Sequence, residues 1–377
     1  MLDTSVAPGI AIVTGASGQD GYLLSERLLA EGWTVHATVR RPGELARLGA
    51  SSRKGGRLRI HAVDLLEPSS LLSLIAEVKP DEFYNLAGQS SVSRSFVDPW
   101  ATWRTNADVV ASLLEAIRQQ SPHTRFYQAS STDMLGHVPG GTILHSEESA
   151  LNPESPYASA KAAAHFFCHA YRRAYGLRIS CGILSNHESH RRPAPFISRK
   201  IINHVRLLRA LTPAELRRAA PLVMGNLKIE RDWGFAVDYV EGMLKIIRQI
   251  HTRARHSGRA MEPDTGAYYR DYVLGTGKTH AVWQMVDRAF SLAGFELEWQ
   301  LDGDDPLHWR ACFQENGSPA VTVDPSLLRP ADPLVIRVDA SRAKEELGWS
   351  PRPGLDIFLS DMLNNNQELV AGDLTAP

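Results

Sequence analysis

Ile10-Ala-Ile-Val-Thr14, running into Gly15-Ala-Ser-Gly18-Gln-Asp-Gly21 and then Tyr22-Leu-Leu-Ser-Glu-Arg-Leu-Leu-Ala30, decides the fold. The first five residues form a short β-branched run, and the last nine carry apolar residues at helical spacing. Between them lies G-x-x-G-x-x-G. Glycines at such a junction let the backbone approach a pyrophosphate, which then sits on the N-terminus of the helix. Gly15, Gly18, Gln19, Asp20 and Gly21 are therefore the first candidates for contact with a dinucleotide.

Outward from this unit, Trp33 to Val39, Leu58 to Val63, Glu82 to Ala87 and Arg125 to Ser130 read as further strands. Helical stretches separate several of them, among them Asp108 to Gln119 and the region around Tyr157. Strands alternating with amphipathic helices imply α/β architecture, a parallel sheet covered on both faces, because parallel connections need a crossover. After Ile183 the pattern becomes irregular. Stretches 186–196 and 252–270 read as loops, and the second as a disordered insertion. Ala340 to Leu347 with Gly348 reads as a late helix and its stop, inside a smaller C-terminal region.

The chain has 377 residues and a formal net charge of −1, enough length for one large domain or two moderate ones. Balanced charge gives no reason to expect nucleic acid or an anionic membrane as partner, so a small molecule is expected. Cys168, Cys181 and Cys312 are too few and too scattered for a disulfide framework or a zinc site. No metal is expected. The N-terminus lacks a basic region followed by a long apolar run, and no later segment approaches a membrane span, so a cytoplasmic protein is expected.

The second strand ends at Arg40-Arg41, where an acidic residue would bind a ribose hydroxyl and repel a 2′-phosphate. Guanidinium suits phosphate and favours NADP, the alternative being two solvated loop arginines. Asp64, after the third strand, is placed to accept from an adenine amine or to cap the following helix. The fifth strand leads into Ser131-Thr-Asp133, at the carboxyl end where ligands bind in such sheets. Tyr157-Ala-Ser-Ala-Lys161 puts phenol and ammonium on one helical face. There the lysine is expected to lower the phenol pKa from about 10, so that Tyr157 takes a hydroxyl proton as a hydride leaves. Ser131 would orient that hydroxyl, with Asp133 as acid or base at a neighbouring carbon, the alternative being a strand-end Ser and Asp that cap a turn.

The chain resembles the extended short-chain dehydrogenases and, more closely, the GDP-mannose 4,6-dehydratase family. The marks are Val13-Thr-Gly-Ala-Ser-Gly-Gln-Asp-Gly21, Tyr84-Asn-Leu-Ala-Gly-Gln-Ser90, Phe126-Tyr-Gln-Ala-Ser130, Ser155-Pro-Tyr-Ala158, Gly182-Ile-Leu-Ser-Asn-His-Glu-Ser189 and Arg231-Asp-Trp-Gly234. The resemblance implies a Rossmann-type doubly wound sheet over 1–185, with segments near 230–240 and 270–280 returning to it, and a mainly nucleotide-sugar-binding α/β region over 186–377. It implies the catalytic set Ser131, Asp133, Tyr157 and Lys161. Arg40, Asp64, Leu65, Leu86, Gln89, Ser90, His187 and Arg192 join the glycine turn around the cofactor. Ser91, Asn186, Lys200, Arg231, Arg329 and Asp332 fall around the sugar diphosphate, whose charge is prohibitive to bury unpaired. A homodimer or homotetramer is expected by analogy.

The implied reaction is C4 oxidation, loss of water across C5 and C6, and hydride return to C6. An epimerase on the same scaffold is the alternative, and a non-catalytic NADP-binding regulator a remote one. Several positions depart from the family pattern. Asp133 stands where the family uses glutamate, Leu135 and Ala101 replace tyrosines, Gly88 an alanine and Ser91 a histidine, so a roomier pocket for another GDP-hexose or a GDP-heptose is expected.

Overall fold

The computed structural model describes residues 7–41, 56–137, 144–194, 196–248, 269–301, 303, 305–329 and 331–365. Most of the 252–270 stretch lies outside the described residues. In chain order the first half runs β1 (Ile10–Thr14), α1 (Gln19–Ala30), β2 (Thr34–Val39), β3 (Leu58–Ala62), α2 (Ser69–Val78), β4 (Glu82–Asn85), α3 (Val92–Val97), α4 (Pro99–Trp103), a π-turn (Arg104–Asp108), α5 (Val109–Gln120), β5 (Arg125–Ser131), α6 (Pro156–Tyr175) and β6 (Ile179–Leu184). Then come β7 (Asn186–Glu188), α7 (Ile197–Arg209), α8 (Pro213–Leu216), β8 (Leu222–Met224), β9 (Glu230–Phe235), α9 (Ala236–Ile247), β10 (Tyr272–Leu274), β11 (Thr279–Ala281), α10 (Val282–Leu292), β12 (Leu297–Gln300), β13 (Arg310–Phe313), β14 (Pro319–Val323), β15 (Val335–Ile336), α11 (Ser341–Leu347) and α12 (Asp356–Asn364).

The large sheet has seven strands in the order β10-β6-β5-β4-β1-β2-β3, and every pairing is parallel. Its middle strands are buried on both faces, which is why β4, β5 and β6 read as near-continuous burial rather than alternation. One face packs Leu24 and Leu28 of α1, Tyr239 to Ile247 of α9, and Ala343, Leu347 and Trp349. The other packs Leu71 to Ile75 of α2, Val109 to Ile117 of α5, and Ala164 and Cys168 of α6.

The chain winds from β1 outward through β2 and β3, then returns to lay β4 on the other flank of β1. That reversal is the switch point at which open parallel sheets bind ligands, and the glycine turn sits on it. Thr14 ties β1 to the segment that follows β4: its Oγ1 accepts from the amides of Leu86 and Ala87, both at 3.0 Å.

The region after Ile183 is more regular than its sequence suggests. A second sheet orders β11-β9-β15 with β7 also paired to β9, and a third orders β12-β13-β14-β8. Ile201, Ile202, Phe290, Trp309, Phe358 and Met362 form part of the separate core there. Several of these strands are only two or three residues long, too short for a period to register.

Candidate active site

Three glycines shape the turn after β1. Gly15 has φ +68°, and a Cβ there would stand 3.0 Å from the Ala87 backbone; one on Gly21 would meet the Gly15 carbonyl at 2.3 Å. Gly18 caps α1 without any side-chain hydrogen bond, so the helix presents bare amides. A main-chain cradle at an uncapped helix N-terminus fits a pyrophosphate.

Gln19 and Asp20 turn toward β7. Gln19 Nε2 donates to the His187 carbonyl at 2.9 Å and its Oε1 accepts from Ser189 Oγ at 2.9 Å. His187 Nδ1 lies 2.7 Å from the Ser185 carbonyl and Nε2 lies 2.9 Å from Asp20 Oδ2. Both ring nitrogens face acceptors, which suits imidazolium. Burial opposes that charge, but the Asp20 carboxylate outweighs it, and the His187 pKa is raised while burial of Asp20 is likewise overcome and its pKa lowered. Behind the ring, Tyr239 stacks at 4.5 Å and its hydroxyl meets Ser185 Oγ at 2.5 Å. Tyr239 and Ser185 are supports that the sequence reading missed; Tyr239 lies beyond the quoted Arg231-to-Gly234 segment.

Other nominated cofactor residues divide. Leu86 packs against the core below the turn, and Arg40 lies exposed at the end of β2. Asp64 Oδ1 accepts from the Leu66 amide at 2.9 Å, so one oxygen shapes its own turn. Leu65 packs partly into the core beside α2. Gln89 braces its own loop through Ser91 and Thr102, and Ser90 beside it is exposed. Arg192 pairs with the buried Glu188 at 3.1 Å, and Glu188 in turn accepts from Ser198 Oγ at 2.6 Å.

The base pair rides on α6, which begins sharply because Pro156 occupies its first turn and Ser155 Oγ accepts from the Ala158 amide at 3.1 Å. Tyr157 and Lys161 are each 8% exposed. The structure corrects the expected electrostatics. Burial, and then the Asp133 carboxylate, push the Tyr157 phenol above its ordinary value. Lys161 does not hydrogen-bond the phenol: its Nζ donates to the Ala129 carbonyl at 2.9 Å, and burial pushes its own pKa down to about 8. A buried ammonium whose hydrogen bond goes to the main chain rather than to the phenol stabilises phenolate poorly.

β5 ends in Ser131, whose Oγ donates to Asp133 Oδ2 at 3.1 Å and accepts from the Asp133 amide at 3.2 Å. Asp133 lines a cavity with Val92, Glu154, Ala158, Arg329 and Asp332. Asp332 bridges two arginines, accepting from Arg231 at 2.6 Å and standing 3.3 Å from Arg329. Burial still raises the Asp332 pKa. Arg329 also donates to Ser93 Oγ at 3.1 Å. Of the other substrate candidates, Asn186 is half-buried on β7, Ser91 caps α3 by accepting from the Arg94 amide at 3.3 Å, and Lys200 lies on the exposed side of α7.

A seven-stranded doubly wound sheet with an oriented Tyr-Lys pair and a carboxylate across from it defines an enzyme of the extended short-chain dehydrogenase type. The family model for GDP-mannose 4,6 dehydratase matches residues 12–362. GDP-mannose 4,6 dehydratase 2 of Arabidopsis thaliana is 36% identical over 375 residues, covering 96% of this chain and 87% of the plant protein. The Homo sapiens enzyme is 34% identical over 372 residues, covering 96% and 92%. Among solved structures, the dTDP-glucose 4,6-dehydratase DesIV from Streptomyces venezuelae, with NAD and TYD bound, aligns with a TM-score of 0.71 at 21% identity over 94% of this chain and 95% of that one. RMD from Pseudomonas aeruginosa, complexed with NADPH, aligns at 0.66 and 22% identity over 94% and 98%. The chain belongs to the GDP-mannose 4,6-dehydratase family of hydro-lyases.

Proposed function

We propose that the chain is an NADP-dependent dehydratase that converts GDP-mannose, or a GDP-sugar of similar size, to the 4-keto-6-deoxy sugar. One observation carries the reading: Ser131, Asp133 and Tyr157 come together where β5 ends, so that a hydroxyl, a carboxylate and a phenol share one site. Bound NADP would supply a hydride acceptor for C4, a donor for C6 and, in its oxidised form, a positive charge to offset the burial that raises the Tyr157 pKa. Tyr157 takes the C4 hydroxyl proton while Ser131 holds that oxygen. The ketone so formed acidifies C5, and Asp133 removes its proton. Arg231 and Arg329 meet the diphosphate at the cost of their present pairing with Asp332.

Arg40 supports NADP over NAD, because it directly follows β2, the strand whose end meets the ribose of a dinucleotide in folds of this kind. His187 and Arg192 flank the same turn. The exposed Trp100 on α4 and the exposed Phe166 and Phe167 on α6 support a homo-oligomer that buries apolar surface on these helices. Free cysteines support a reducing cytosol, and among the described residues no helix is long and apolar enough to cross a membrane.

Mass spectrometry of products from a panel of nucleotide sugars tests substrate and reaction together. Loss of one water from a GDP-hexose supports the reading. An unchanged mass with altered sugar configuration replaces it with epimerisation.

A further inference from the structure

Asp133 is not alone on the wall of its cavity. Glu154, three residues before Tyr157, lines the same space. The two carboxylates come from segments pressed together backbone to backbone. The Asn152 amide donates to the Met134 carbonyl at 2.9 Å, and the His137 amide donates to Glu154 Oε1 at 2.6 Å. Asn152 Nδ2 also reaches the His137 carbonyl at 3.3 Å. Gly136 fits between them only because it has no side chain, since a Cβ there would fall 1.8 Å from the Asn152 carbonyl oxygen. The turn carrying Asp133 and the segment carrying Glu154 are thus one clamped unit, and the Glu154 side chain is itself held by the His137 amide.

Asp133 itself is held back. Its carboxylate is hydrogen-bonded to Ser131, and its charge is felt by Tyr157, Arg231 and Asp332. That places it beside the base which works at C4, within reach of the adjacent carbon. Elimination across C5 and C6 needs two proton transfers at neighbouring atoms, and a short side chain tethered to its own turn serves one of them best.

We propose that Glu154 is a second catalytic carboxylate, the general acid that protonates the departing C6 hydroxyl, while Asp133 serves C5. The proposal rests on the dehydratase reading. Asp133 carboxylate takes the C5 proton, the electron pair becomes the C5–C6 double bond, and the C6–O bond breaks. The Glu154 carboxylic acid gives its proton to that oxygen, which leaves as water. Hydride then returns to C6, and Asp133 gives its proton back to C5. The cycle ends with Tyr157 protonated and Glu154 ionised, and one proton passing through solvent restores both.

The test uses the holoenzyme in D2O with the nucleotide sugar that the wild type dehydrates, comparing Glu154→Gln and Asp133→Asn. Three signals are followed: transient NADPH absorbance, deuterium entering C5, and loss of water. Glu154→Gln is expected to keep the NADPH transient and the C5 exchange while product formation falls about 10²–10⁴-fold. Asp133→Asn is expected to lose the exchange as well. Equal melting temperatures with NADP show that both variants are folded. A Glu154→Gln enzyme that dehydrates at the wild-type rate, or that loses C5 exchange along with product, overturns the role given to Glu154 and leaves the dehydratase intact. A wild type that removes water from no nucleotide sugar overturns both readings.

Discussion

The Lys161 ammonium stands 5.9 Å from the centroid of the Tyr157 ring, with its hydrogen bond given to the Ala129 carbonyl at 2.9 Å. The pair is poised side by side rather than bonded, and the lysine bears an electrostatic cost. A fall in pKa from 10.5 to about 8 corresponds to at most about 3 kcal/mol against the folded state. Because the folded pKa is depressed, that cost is complete below about 8 and is relieved as pH rises toward 10.5.

Lys161→Met should therefore melt higher than the wild type near neutral pH while losing turnover. Losing the bond to Ala129 offsets about 1 kcal/mol, so a net gain of about 1–2 kcal/mol is expected. The gain should shrink as pH rises above 8. Denaturant titrations at several pH values check it; a variant less stable at neutral pH would show that the lysine is a structural tie instead.

Gly21→Ala should be destabilising although alanine favours helix. The new Cβ would lie 2.3 Å from the Gly15 carbonyl and 2.8 Å from Ala16 Cα, both main chain with no rotamer to yield. Overpacking of this kind costs about 1–3 kcal/mol, and opening the turn should weaken NADP binding as well. Calorimetry with and without NADP measures both effects. Gly176→Ala, where a Cβ meets open space but φ is +66°, provides a strain-only comparison remote from the turn.

Much of the frame was legible because its signals are local. The strand, glycine turn and helix over residues 10–30 lie in adjacent sequence, and Tyr157 and Lys161 are one helical turn apart. Their partners were less legible. Glu154 carries no motif of its own, and its place beside Asp133 depends on Gly136 meeting Asn152 through a fold that neither residue announces. The charge on His187 is set by Asp20, far away in sequence, and no spacing rule links them. The lysine's effect on Tyr157 was misjudged for the same reason, since helical spacing states proximity but not burial or the rival claim of the Ala129 carbonyl.

Arg40→Asp should shift cofactor preference from NADP toward NAD. A carboxylate at the end of β2 accepts from a ribose 2′-hydroxyl and repels a 2′-phosphate, reversing what guanidinium does there. Loss of a charge-assisted contact costs about 1.5–3 kcal/mol, so NADP affinity should fall about tenfold or more. Titration with both dinucleotides checks it, and an unchanged ratio of affinities would remove Arg40 from the cofactor site.

Asp20→Asn should make stability less dependent on pH above neutrality. The wild-type His187 pKa is raised above 6.5, so its contribution is complete below that value and is lost as pH climbs through the folded pKa. Asp20 is lowered below 3.8, so its contribution is present above that value and is lost only as pH falls through the folded pKa. Between these limits the pair is fully charged. Asparagine keeps an oxygen for His187 Nε2 but no charge, so the imidazole should titrate lower. The variant should lose about 1–3 kcal/mol near pH 5.5 and progressively less as the wild-type histidine deprotonates. Nε2–H and Nδ1–H resonances followed by NMR against pH locate the transition directly. A His187 that titrates identically in both proteins would mean that the Ser185 carbonyl and the Tyr239 stack, rather than Asp20, hold the ring beside the glycine turn.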